Sequence, residues 1–169
     1  LDVLDRFMLG SVSTNLIHHA TCPVLVVKGE ASPLRRMILA TDGSDASAKA
    51  LRFVLSKFQP NRTTGKGRRG PIHVCVLHVL PLVMYPGLKE ASKKLLEQSV
   101  QKLTKAGFTA EPLCYLGNPA EEIMKAASQQ RADLIVMGAK GLGAIARFLI
   151  GSVSTRVVQH ANCAVLVVR

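Results

Sequence analysis

The chain has 169 residues, 48% of them hydrophobic, which suffices for one domain with a well-filled core. Its 22 Lys and Arg against 11 Asp and Glu give a formal charge of +11, which favours anionic partners without choosing among nucleotides, nucleic acid and acidic headgroups. Aromatic residues make up only 4%, with no Trp, so stacking platforms are scarce and nucleic acid is disfavoured as the partner.

No apolar run is long enough to span a membrane, and no short apolar core follows a basic start as in a signal peptide. The first residue is Leu, so the true N-terminus is expected upstream. Cys22, Cys75, Cys114 and Cys163 each lie in or beside an apolar run. That scatter suits buried free thiols in a reducing cytoplasm better than zinc ligands or a disulfide framework.

The chain opens on one copy of a repeat and ends on another. Leu1 to Lys28 match Leu142 to Arg169, an offset of 141, at 15 of 28 positions. The shared core is Arg-Phe, then Gly-Ser-Val-Ser-Thr, then His-Ala-x-Cys-x-Val-Leu-Val-Val. Residues 1–28 therefore read as the end of a first domain and 35–169 as a complete second one. The joint, 29–34 (GEASPL), has linker composition.

Within 35–169 the elements alternate. Arg36 to Thr41 is a short apolar run ending at Asp42-Gly43-Ser44, a buried strand and a turn. Asp45 or Ser47 is expected to cap a helix reaching Phe58. A polar, glycine-rich loop follows over 59–71, with Arg62, Lys66, Arg68 and Arg69 and no acid. Ile72 to Val79 is a β-branched second strand. From Gly87 to Ala106, Leu88, Ala91, Leu95, Leu96, Val100 and Leu103 recur at helical spacing, and Gly107 closes the helix. Thr109 to Tyr115 is a weaker strand. Asn118 and Pro119 supply an N-cap and an N1 proline, with Glu121 and Glu122 in the first turn. Asp133 to Met137 is the fourth strand, Ser152 to His160 a helix, and Cys163 to Val168 the fifth strand.

This rhythm predicts an α/β fold, a doubly wound parallel five-stranded sheet with helices on both faces. Ligands of such folds bind beyond the carboxyl ends of the strands, where strand order reverses. Two loops fall there: Thr41-Asp42-Gly43-Ser44, and the run with Gly138, Gly141 and Gly143. The glycines can form an anion-binding nest leading to Gly151-Ser152-Val153-Ser154 at a helix start, whose unpaired amides and dipole favour a phosphate chain. Asp42 would sit across the switch point, in reach of a ribose hydroxyl, an adenine amino group or a metal ion. Spacing alone equally allows a tight turn and an ordinary cap.

The spacing Gly138-x2-Gly141-x9-Gly151-Ser152 resembles the signature of ATP-binding universal stress proteins. The likeness extends to Ile38 through Ser44, to His78-Val79 and to the closing Cys163-Ala-Val-Leu-Val-Val. The resemblance implies an adenine nucleotide alpha hydrolase-like sheet of order 3-2-1-4-5 and a truncated tandem member of that family. By position, Ala40, Thr41 and Asp42 would meet adenine and ribose, and Val79 would pair its backbone with the adenine edge. Met137 and Gly138 would flank the ribose, while Gly141, Gly151, Ser152, Val153 and Ser154 would hold the phosphates, with Lys140 in support. The implied cofactor is ATP with Mg²⁺ or Mn²⁺. The implied partnership is a homodimer, or a pseudo-dimer within one chain, through the fifth strands (22–28 with 163–169).

No P-loop motif is present, and none of the five His residues falls into a recognisable triad. The expected role is a nucleotide sensor in stress response, with at most slow hydrolysis. The rival readings are an interaction module whose repeat serves only dimerisation, and a nucleic-acid binder using the basic loop 59–71.

Overall fold

The computed structural model describes residues 11–28, 33–60, 63–64, 67–68, 70–83, 85–140 and 150–169. The chain begins with α1 (Ser11–His19) and β1 (Val24–Val26), then β2 (Arg36–Ala40) and α2 (Asp45–Lys57). The short pieces β3 (Thr63–Thr64) and β4 (Gly67–Arg68) pair with each other inside the expected loop. Arg62, Lys66 and Arg69 lie outside the described residues. After them come β5 (His73–Leu80), α3 (Leu88–Lys105), β6 (Thr109–Leu116), α4 (Pro119–Gln129), β7 (Leu134–Gly138), α5 (Ser152–His160) and β8 (Ala164–Val168).

The main sheet has the order β1-β8-β7-β2-β5-β6. Its five parallel strands run in the expected 3-2-1-4-5 order, but the sheet has six strands rather than five, because β1 adds an antiparallel edge to β8. Alternation along the strands sends side chains to two separate cores. Met37, Leu39, Val74, Val76, Leu134 and Val136 meet α2 and α3. Ile38, Cys75, Leu77, Ile135, Met137 and Val165 meet α4 and α5, joined by Ile17 of α1. Burial on both faces explains the unbroken apolar runs in the sequence.

The helix starts follow local chemistry. Asn118 caps α4, its carboxamide oxygen accepting from the amides of Ala120 and Glu121, with Pro119 at the first turn. The cap of α2 is Ser44, neither Asp45 nor Ser47. Asp42 Oδ1 accepts the Ser44 amide at 3.0 Å, and this turn brings Ser44 into cap position, where its hydroxyl accepts from Ser47 N at 3.2 Å. Ser47 is left buried inside the first turn.

The two ends of the repeat meet. Val24 lies opposite Val167, Leu25 opposite Leu166 and Val26 opposite Val165. At the repeat offset of 141, Leu25 faces its own mate and its neighbours face each other's mates, so the pairing is locally two-fold. The closing basic residues, themselves repeat mates, reciprocate. Lys28 Nζ donates to the carbonyls of Gln159 (3.0 Å) and Ala161 (2.8 Å) at the end of α5. The Arg169 guanidinium donates to the carbonyls of Ile17 and His18 in the last turn of α1. Each cation thus satisfies helix-end carbonyls and complements the negative end of a helix dipole.

The four cysteines are free thiols, but only Cys75 is fully buried. Cys114 is exposed because it sits on the edge strand β6, and Cys22 is exposed because it precedes the edge strand β1. The expectation of four buried thiols is corrected for these two.

Candidate functional site

Beyond the carboxyl ends of the strands, on the α4 and α5 side of the sheet, lies a cavity of about 430 Å³. It sits at the switch point between β2 and β7, the place the doubly wound pattern dictates. Its floor is apolar, made by Ala40, Leu77, Ile123 and Met137. Its rim is polar.

The β2 side is held by a compact loop. The Thr41 amide donates to Leu77 O at 2.8 Å, adding one rung to the sheet. Thr41 Oγ1 donates to Ser47 Oγ at 3.2 Å. Gly43 has φ +80°, a left-handed conformation that suits glycine, and it turns the chain into α2. The half-buried Asp42 is the one acid among the described residues lining the cavity, and Lys140 is the one cation.

Val79 is placed by parity. The Leu77 carbonyl faces β2, because it accepts from Thr41, while the Leu80 carbonyl faces β6, because it accepts from Gly117. Residues two apart in a strand turn their backbone groups to the same side. The Val79 N–H and C=O therefore point toward β2, which has already ended, and so into the cavity. An exposed donor–acceptor pair at the edge of an apolar floor is what a flat heterocycle with its own donor and acceptor requires.

The far side is a clasp between β7 and α5. The Ala139 carbonyl accepts both the Gly151 amide (2.7 Å) and the Ser154 hydroxyl (2.8 Å). This ties the start of α5 to the end of β7 and fixes it beside the cavity. Gly151 and Ser154 line the cavity, yet their polar groups serve the clasp. The exposed Ser152 hydroxyl and the first-turn amides of Ser152 and Val153, which have no intrahelical acceptor, are the donors left for an anion.

Of the residues expected at the site, Ala40, Thr41, Asp42, Val79, Met137, Gly138, Gly151, Ser152, Val153 and Ser154 all line this one cavity. Gly141 lies outside the described residues. Leu77, Pro119, Ile123 and Ser47 also line it and were missed. The usable signal was that Pro119 and Ile123 stand four apart on one face of α4.

His78 belongs to the opposite face. Its Nδ1 lies 2.8 Å from Ser92 Oγ of α3, which is 3.5 Å from Cys114 Sγ. Burial pushes the His78 pKa below its ordinary value, and the Asp42 carboxylate offsets part of that shift. A histidine whose folded pKa is depressed contributes stability that is present above its unfolded pKa and lost as pH falls through the folded one. Thermal unfolding followed from pH 7 to pH 5 should show a midpoint that falls with acid, with a shallower fall in His78→Gln. An unchanged slope in that variant contradicts the assignment.

Fold and site together define a doubly wound α/β domain with a ligand-sized cavity at its switch point. The chain belongs to the universal stress protein family, whose model matches residues 2–28 and 33–169. A universal stress protein of Thermus aquaticus is 37% identical over 144 residues, covering 80% of this chain and 98% of that protein. One of Mycolicibacterium smegmatis is 30% identical over 190 aligned positions, covering all of this chain and 58% of its own length. Among solved structures, a universal stress protein of Archaeoglobus fulgidus in complex with dAMP aligns with TM-score 0.59 and 25% identity, over 81% of this chain and 98% of that one. A universal stress protein in complex with cAMP aligns with TM-score 0.57 and 25% identity, over 82% and 98%.

Proposed function

We propose that the cavity binds an adenine nucleotide, ATP with Mg²⁺ or Mn²⁺, and that the domain acts as a sensor or regulator in stress response, with at most slow hydrolysis. The observation that carries this reading is the convergence of β2, β5, β7 and α5 on one cavity with an apolar floor, the Val79 backbone pair at one end and the α5 start at the other. Its volume lies within the usual range for small-molecule sites. The solved relatives with dAMP and cAMP support the choice of an adenine nucleotide. The described residues fit a divalent ion carried in by the phosphates, with the Asp42 carboxylate as its protein ligand, since Mg²⁺ usually takes one or two carboxylates beside phosphate oxygens.

The test is thermal unfolding with ATP, AMP, dAMP and cAMP, with and without Mg²⁺. Ligand at about 100 times its Kd stabilises by about 2.7 kcal/mol, about 5–10 °C for a domain of this size. ATP should bind more tightly than AMP, because the α5 start and Lys140 add contacts to the outer phosphates. Asp42→Asn, which keeps the Oδ1 acceptor for the Ser44 amide and removes the charge, should weaken binding about tenfold or more with little change in the unliganded midpoint. A chain whose midpoint no adenine nucleotide moves does not have this function.

We also infer that residues 1–28 are the closing helix and strand of a first domain of the same type, joined through 29–34 to the complete domain 35–169. Leu16, Leu25 and Val27 are 60%, 54% and 61% exposed, whereas their repeat mates Val157, Leu166 and Val168 are buried in the second domain's core. These exposed apolar side chains of the first segment are the ones that the body of a first domain would cover, as the second domain's sheet and helices cover their mates.

A further inference from the structure

The amino ends of the strands, opposite the cavity, hold a second cluster of reactive side chains. β5 opens His73-Val74-Cys75, and residues two apart on a strand share a face. On the adjacent β6, Glu111 is the register partner of Cys75. The three side chains stand together although Glu111 is 36 residues from Cys75, so their sequence spacing carries no ligand motif.

The Cys75 thiol donates to Glu111 Oε1 at 3.3 Å, and Sγ lies 3.7 Å from His73 Nδ1. His73 Nε2 is 3.9 Å from the same carboxylate oxygen. One ligating atom from each residue lies within 4.8 Å of the other two. A tetrahedral ion with bonds of about 2.0–2.3 Å separates its ligands by about 3.3–3.8 Å. The side chains need only small rotations to reach that spacing. The geometry points to a binding site for a divalent ion of the zinc class formed by His73, Cys75 and Glu111.

The donor set selects the ion. Sulfur and imidazole nitrogen suit Zn²⁺ or Co²⁺, whereas Mg²⁺ and Ca²⁺ prefer oxygen throughout. Three protein ligands leave a fourth position for water. The His73 and Glu111 side chains are 31% and 45% exposed, so an ion can enter from solvent while Cys75 stays buried beneath. Binding forms a metal–sulfur bond as the thiol proton departs to solvent, with no change of oxidation state.

Two features oppose the ion. Burial and then the Glu111 hydrogen bond push the Cys75 thiol up to about 12, so metal competes with a firmly held proton. Arg36, the β2 register partner of His73, places a cation nearby, although its guanidinium is engaged with the Gln130 carbonyl at the end of α4 (3.2 Å). Thiolate and carboxylate together bring two negative charges against that one.

The experiment is a Co²⁺ titration of the metal-stripped, tag-free full chain, following thiolate-to-cobalt charge-transfer absorption in the near ultraviolet. One equivalent should develop the band, and Zn²⁺ should displace it. Cys75→Ser should abolish the band. Should that buried substitution fail to fold, His73→Ala and Glu111→Gln, both at partly exposed positions, should each weaken Co²⁺ about tenfold or more. Absence of a charge-transfer band overturns the proposal. So does a band that survives in Cys75→Ser, which assigns the binding to the exposed Cys22 or Cys114, or an affinity unchanged in both surface variants.

Discussion

Gly138→Ala is expected to destabilise the folded chain by about 2–3 kcal/mol, a fall of about 4–12 °C in midpoint for a domain of this size. An alanine that fits a position once held by glycine ordinarily gains stability, because it restricts the unfolded chain. Here it does not fit. A Cβ on Gly138 would lie 2.6 Å from the Ala46 carbonyl carbon, 2.7 Å from its oxygen and 2.8 Å from its Cβ. Two of these are backbone atoms in the first turn of α2, so no rotamer change relieves the clash. The helix start must move instead, and it is tied by the Ser44 cap to the Thr41-Asp42-Gly43 loop that rims the cavity. The substitution should therefore lower stability without ligand and weaken nucleotide binding together. Gly70→Ala, whose Cβ would meet nothing within 4 Å, is the control and should leave the midpoint within about 1 °C. A Gly138→Ala variant as stable as the parent would show that the start of α2 can move freely.

That glycine marks the boundary of what the sequence discloses. Its place before Lys140 and Gly141 suggests a loop glycine bared for ligand approach, but its position in β7 gives it a packing duty against a helix distant in sequence. Local signals served well where local chemistry decides. The apolar β-branched runs located the strands because both faces of the sheet are buried, and Asn118-Pro119 located a helix start because cap and first turn are satisfied within four residues. They served less well where two local solutions compete. Asp42, Ser44, Asp45 and Ser47 all offer capping oxygens, and the choice fell to Ser44 through the turn that Asp42 and Gly43 impose.

At the cavity the polar rim was legible, since glycine, serine and aspartate stand out against an apolar background. The floor was not, because Leu77 and Ile123 resemble any other core residue until α4 is folded onto β5. The clasp at Ala139 was equally hidden, and through it Gly151 and Ser154 anchor the α5 start to the end of β7.

Deleting residues 1–28 is expected to convert a chain whose sheet edge is covered into one that associates. In the intact chain β1 pairs with Val165–Val167, the centre of the apolar strand β8, and Lys28 closes the end of α5. Removing them leaves unpaired backbone groups along an apolar strand, a template for pairing with another chain. At about 1 kcal/mol for each hydrogen bond lost, the cost is about 3 kcal/mol or more, a midpoint lower by about 6–12 °C. The repeat determines what happens next. Because β1 and β8 carry the same Val-Leu-Val sequence and meet about a local two-fold, the β8 strand of a second molecule can take the place of β1 in the same register. Arg169 of each molecule would then stand where Lys28 stood, at the end of the other's α5. The deleted chain should therefore elute as a dimer or larger species in size-exclusion chromatography with light scattering, and a peptide of residues 11–28 added in excess should return it toward the monomer. A deleted chain that stays monomeric and soluble, with the parent's midpoint, would mean that β1 is dispensable and that β8 tolerates an open edge.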